Sequence, residues 1–141
     1  MNALKIEGTN LTPVVDFNLL TGRFEISGYS RPEDVREFYK PIIEWLSEYY
    51  KLIENGTLDS NYNKSKLLFI LKYTYFNSAS TKFISDILFQ IVKFKGLGME
   101  VDIDWYYEEY DEDMREVGED LSDMVNYKFN YYSFRKEDDD E

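Results

Sequence analysis

Two short segments near the start of the chain, Val14-Val15-Asp16-Phe17-Asn18 and Arg23-Phe24-Glu25-Ile26-Ser27, alternate apolar and polar positions. A period of two puts one set of side chains on a single face of a strand, and Leu19-Leu20-Thr21-Gly22 between them reads as a hairpin turn with glycine at its tip. The period then changes. Val35, Phe38, Tyr39, Ile42, Leu46, Tyr49 and Ile53 recur mostly at offsets of three and four, which predicts an amphipathic helix of about five turns. Ser30-Arg31-Pro32-Glu33 supplies a cap hydroxyl, a first-turn proline and a glutamate three residues after the serine, the pattern of a helix start. Pro41 falls inside the stripe and removes one backbone hydrogen bond, so a kink is expected, or a helix that properly begins nearer residue 38. Asn55-Gly56 is the expected stop.

After a polar, loop-like stretch over 57–65, Leu67-Leu68-Phe69-Ile70-Leu71 is apolar without interruption. Such a run fits a strand covered on both faces, and residues 67–76 are therefore the expected central strand. Asn77-Ser78-Ala79-Ser80 breaks it with small polar residues suited to capping, and Ile84, Ile87, Leu88 and Ile91 carry the next helical stripe as far as Gly96 to Gly98. Val101, Ile103, Trp105 and Tyr107 share one face of a further strand. Met114, Val117, Leu121 and Met124 mark a third, acidic helix, and Tyr127, Phe129 and Tyr131 suggest a last strand. The order strand, strand, helix, strand, helix, strand, helix, strand predicts an α/β domain, an open mixed sheet with crossover helices. One domain over 1–134 is expected, with 135–141 as an acidic, disordered tail.

Composition narrows the chemistry. With no histidine and no cysteine, the chain lacks the usual proton shuttle near neutral pH, imidazole and thiolate metal ligands, and disulfide frameworks. No catalytic group, metal or cofactor is expected. The segment Asp111 to Asp120 resembles a calcium loop only superficially. Counting from Asp111, the sixth position is Glu116 and the twelfth Ser122, where an EF-hand needs glycine and glutamate. Ser78 and Lys82 are spaced one residue longer than a Ser-x-x-Lys nucleophile pair. The net charge of −12 disfavours nucleic acid and acidic membrane surfaces and favours a partner with a basic face. The first residues contain no apolar signal core, and a cytoplasmic location is expected.

The junction after the central strand is the most informative place. A phosphate on Ser78 would meet the free N–H groups and positive end of a helix. Ser78, Lys82, Ser85 and Phe89 follow at offsets of four, three and four, opposite Ile84, Ile87 and Ile91, so with Asn77 they form the expected partner-binding face. The plainer alternative is that Asn77 or Ser78 only caps the helix.

A family resemblance bears on that choice. Ile6-Glu7-Gly8-Thr9 with Thr12-Pro13, Thr21-Gly22-Arg23, Gly28-Tyr29-Ser30-Arg31-Pro32-Glu33, Ile43-Glu44-Trp45-Leu46, Tyr75-Phe76-Asn77-Ser78-Ala79-Ser80-Thr81-Lys82 and Trp105-Tyr106-Tyr107 with Asp113-Met114 and Gly118-Glu119 together resemble the SiaC family of bacterial regulatory phosphoproteins. The resemblance implies a fold like that of STAS-domain anti-sigma-factor antagonists. It also implies a partner kinase with a histidine-kinase-like ATPase fold and a partner phosphatase of the PP2C type. In its best-known branch the unphosphorylated form binds and activates a diguanylate cyclase. The phosphoacceptor there is a threonine directly after the asparagine that ends the central strand, a position matched here by Ser78, with Ser80 and Thr81 as nearby hydroxyls. A phosphorylation-switched adaptor is thus the leading expectation. An acidic decoy that mimics nucleic acid and occupies a basic protein is the alternative, and a carboxylate-based hydrolase the third.

Overall fold

The structure is a computed structural model, described here over residues 1–135. Its six strands are β1 (Leu4–Ile6), β2 (Val14–Asn18), β3 (Arg23–Ser30), β4 (Lys66–Phe76), β5 (Glu100–Glu108) and β6 (Asn130–Phe134), and they lie side by side in sequence order. β1, β2 and β3 are antiparallel neighbours, whereas β3, β4, β5 and β6 run parallel. The parallel strands are linked by α1 (Val35–Glu54), α2 (Ser78–Lys93) and α3 (Glu112–Val125). The three crossovers step the same way along the sheet, and with the right-handed connection usual for such units this puts all three helices on one face. α2 packs against both α1 and α3. The expected mixed sheet with β4 at its centre is what forms.

Beneath the helices the core is aromatic. Phe24 stacks on Phe69 at 4.7 Å between centroids, and Phe17, Trp45, Tyr49 and Phe94 close around them. These side chains come from period-two positions of β2, β3 and β4, from one stripe of α1 and, for Phe94, from the short 3-10 turn after α2, the shared buried face that makes sheet and helices one unit.

Several expectations are corrected. Ser30 does not cap α1, because β3 runs on to include it and buries it. The cap is Asp34, whose carboxylate accepts from the Glu37 N–H at 3.1 Å. α1 begins at Val35 and continues through Pro41 rather than starting near residue 38. The carbonyl that Pro41 leaves without a helical donor belongs to Glu37; both residues are exposed, so water can satisfy it. β1 was absent from the sequence pattern. In α3 Met124 is 55% exposed while Val125 is buried, and Val117 is only partly buried while Gly118 beside it sits against Trp105. β6 begins only at Asn130, so Tyr127 and Phe129 precede it. Of the expected tail, Arg135 pairs with Glu109 at 2.7 Å; 136–141 lie outside the described residues.

Candidate functional site

β4 delivers the chain to α2 at Asn77. Its backbone N–H donates to the Ser30 carbonyl at 3.0 Å, which ties the end of β4 to the end of β3. The Asn77 side chain caps the helix, its carbonyl oxygen accepting from the Ser80 N–H at 3.0 Å and from the Ser80 hydroxyl at 2.7 Å. Asn77 is therefore the cap. Ser78 is the first helical residue and is exposed.

The three hydroxyls near the junction differ sharply in availability. Ser80 is fully buried. Its single hydrogen goes to Asn77, with the Ser30 carbonyl at 3.3 Å as a second acceptor, so in the 2.9 Å contact with the Ser30 hydroxyl Ser80 accepts. Ser30 in turn lies 2.6 Å from the Tyr39 hydroxyl, and Tyr39 lies 3.1 Å from that of Tyr73. One consistent assignment runs the donors in a line from Tyr73 through Tyr39, Ser30 and Ser80 to Asn77. Burial raises the Tyr39 phenol above its ordinary range, and hydrogen bonding with Ser30, Tyr73 and Ser80 offsets part of the rise. Tyr73 is held well above that range, by burial first and then by Tyr39. Both phenols are neutral at physiological pH. Thr81 is half-buried, and its carbonyl accepts from the Ser85 hydroxyl at 2.9 Å.

The expected binding face is only partly assembled. Lys82 and Phe89 are exposed with Ser78, Phe89 at 47%. Ser85 is not on that surface: it is 8% exposed, with its hydroxyl turned back along the helix. Lys82 is paired with Asp86 at 3.2 Å. A groove of about 440 Å³ runs beside it between α1 and α2, lined in part by Arg36, Lys40 and Phe83. Arg36 and Lys82 both lie over the Phe83 ring, at 5.6 and 5.0 Å from its centroid. The sequence reading missed Ser30, Tyr39 and Tyr73 as members of the site. The signal for Tyr73 was a phenol on the otherwise apolar face of β4 that carries Leu67, Phe69 and Leu71, where a buried hydroxyl calls for a partner. Tyr39 shares its stripe of α1 with Tyr49, so the pattern did not single it out.

Acidic groups elsewhere do not gather as a metal site: among the described residues no cluster of three or more potential ligands occurs. None of the helices described is long and apolar enough to cross a membrane.

Comparison with known proteins gives a concordant result. An uncharacterised protein of Pseudomonas aeruginosa strain UCBPP-PA14 is 26% identical over 129 residues, covering 92% of this chain and 94% of that protein. The structure of SiaC of Pseudomonas aeruginosa superposes with a TM-score of 0.75 at 24% identity, covering 95% of this chain and 100% of the other. The same organism's diguanylate cyclase SiaD in complex with its activator SiaC contains a chain that matches with a TM-score of 0.77 at 25% identity, over 93% of this chain and 99% of that one. The family model for SiaC family regulatory phosphoproteins matches residues 6–134, nearly the whole fold described above, and the chain belongs to that family.

Proposed function

We propose that this chain is a phosphorylation-switched adaptor whose unphosphorylated form binds and activates a diguanylate cyclase, and whose phosphorylation at Ser78 ends that contact. The observation that carries this reading is the contrast at the start of α2. Ser78 is exposed on the first helical turn, whereas Ser80, two residues on, is buried with its hydrogen committed to Asn77. The chain's likeness to SiaC, which in the Pseudomonas aeruginosa complex is the activator of the cyclase SiaD, supplies the class of partner.

A kinase with a histidine-kinase-like ATPase fold transfers the γ-phosphoryl group of ATP to the Ser78 oxygen; ADP leaves and the hydroxyl proton is lost. A PP2C-type phosphatase returns the hydroxyl by hydrolysis to inorganic phosphate. The adaptor itself performs no chemistry. The added group brings about −1.5 to −2 charges, which the N-terminal end of α2 accommodates and a partner surface fitted to a neutral hydroxyl does not. Lys82 contributes little, because it is already paired with Asp86 and an exposed ion pair is worth about 0–1 kcal/mol. The switch acts at the interface and leaves the fold intact.

The test compares wild-type chain, Ser78→Ala and Ser78→Glu in thermal melting and in stimulating cyclic-di-GMP synthesis from GTP by purified diguanylate cyclases of the source organism. Similar melting for all three is expected, with stimulation kept by alanine and lost with glutamate. Equal stimulation by the two variants refutes the switch. Binding to a basic protein that collapses with salt and ignores both substitutions indicates the decoy instead.

A further inference from the structure

We infer that Tyr110 is a preformed aromatic anchor for a partner protein, entering an apolar slot rimmed by lysine and arginine on that partner. Tyr110 is 88% exposed, the most exposed of the large hydrophobic side chains described. Its backbone is also in the left-handed region, at φ 71°. The Asp111 N–H donates to the Glu108 carbonyl at 2.9 Å, so Tyr110 is the third residue of a four-residue turn. That position, with positive φ, is the one at which glycine or asparagine is favoured and a bulky side chain disfavoured. The ring is thus held where the backbone disfavours it and where it gains almost nothing from packing in the free chain. A strained residue of this kind points to use outside the fold.

The turn is rigid. On one side the Glu109 N–H donates to the Phe134 carbonyl and the Glu109 carboxylate holds Arg135, each at 2.7 Å. On the other the Asp111 side chain caps α3 by accepting from the Met114 N–H at 3.1 Å. With its backbone held, Tyr110 has only two side-chain torsions left to lose on binding, and aromatic side chains of this kind are the ones that come to dominate an interface. Next to Tyr110 in the chain come Glu108, Glu109, Asp111, Glu112 and Asp113; Glu109 is paired with Arg135 and Asp111 caps α3. This acidic rim calls for a basic rim on the occupant and excludes a second copy of this chain docking on itself.

Location links the anchor to the switch. β4 and β5 are parallel neighbours, so Ser78, just past the end of β4, and Tyr110, just past the end of β5, leave the same end of the sheet. Tyr75, 46% exposed, is the second-last residue of β4 at that end. A standard interface of about 800 Å² per partner is about 30 Å across and spans both positions. The identity of the partner rests on the adaptor reading; the existence of the anchor does not.

The experiment titrates purified diguanylate cyclases of the source organism with wild-type chain, Tyr110→Phe, Tyr110→Gly and Ser78→Glu, at low and high salt. Phenylalanine should bind within about threefold of wild type, and glycine should bind at least about 30-fold more weakly. The glycine variant should melt no lower than wild type, because glycine is at ease at this φ, and wild-type binding should weaken with salt. A glycine variant that binds as tightly as wild type overturns the anchor and leaves the adaptor reading standing. If no cyclase binds wild type, the adaptor reading falls, and proteins captured from native lysate by wild type are purified and titrated with the same chains. A captured partner indifferent to Tyr110→Gly, or no captured partner at all, overturns the anchor as well.

Discussion

Replacing Gly118 by alanine probes how α3 is seated on the sheet. A Cβ at this position would lie 2.5 Å from Nε1, 2.6 Å from Cδ1 and 2.8 Å from Cε2 of Trp105, against the roughly 3.5–4.0 Å of a normal carbon contact. The indole cannot swing away. It is fully buried, donates from Nε1 to the Met114 carbonyl at 3.1 Å, and is stacked on Phe129 at 6.2 Å. α3 must therefore retreat by about 1 Å, at an overpacking cost of about 1–3 kcal/mol. Losing the indole hydrogen bond leaves a buried donor unsatisfied and adds about 1–3 kcal/mol. Alanine's better helix propensity returns about 1 kcal/mol. The net expectation is a loss of about 3 kcal/mol, or a melting temperature lower by roughly 10 °C, read by urea titration and by thermal scanning. Adding Trp105→Phe makes room beside residue 118, so the double variant should lose less than the sum of the two single losses, with a coupling of about 1–2 kcal/mol. A Gly118→Ala variant as stable as wild type, or additive losses in the double variant, would refute the steric account.

Two further outcomes follow from the same kind of reasoning. Asn77→Ala removes the α2 cap and the acceptor of the Ser80 hydrogen together, so about 2 kcal/mol of stability should disappear in urea unfolding, while Asn77→Asp, which keeps the acceptor, should retain most of it. Alkaline unfolding should be steep: burial pushes the Tyr49 phenol up to about 12 from an ordinary value near 10, and Tyr39 and Tyr73 shift the same way. The folded chain keeps protons that the unfolded chain releases, so this contribution is complete below pH ~10 and is lost as the pH rises towards ~12. Tyr49 has no partner for its hydroxyl among the described residues. Tyr49→Phe should therefore be near neutral at pH 7 and flatten the decline in stability above pH 10, as followed by circular dichroism; an unchanged slope would count against Tyr49 as a source of it.

The elements that were legible in the sequence are those in which one period persists for several residues. The alternation of β2 and β3, the apolar run of β4 and the stripe of α1 each reflect a single buried face. β1 has three residues, too few to establish a period, and is held by pairing with β2 rather than by its own pattern. Ser30 carried every mark of a local helix start, yet it became a buried strand residue because Tyr39 and Ser80 supply its hydrogen bonds from distant parts of the chain. Ser78 was legible because a strand ending in asparagine and small residues announces a helix start. Ser85 was misplaced for a tertiary reason. The helical wheel assumes one buried stripe, but α2 is flanked by α1 and α3, so its covered arc is wide enough to take in Ser85. Trp105 facing Gly118 shows the converse case, in which the large side chain on one element requires the absence of one on the other.

The sequential strand order has a consequence for how the chain assembles during synthesis. Every strand lies beside the strand made just before it, so no strand has to be inserted between two that are already paired. The β1–β3 meander can form first from local contacts, and each later helix–strand unit then joins a growing edge as it emerges from the ribosome. A parallel sheet usually demands long waits for distant partners; here the longest wait for a neighbouring strand is one helix and its loops.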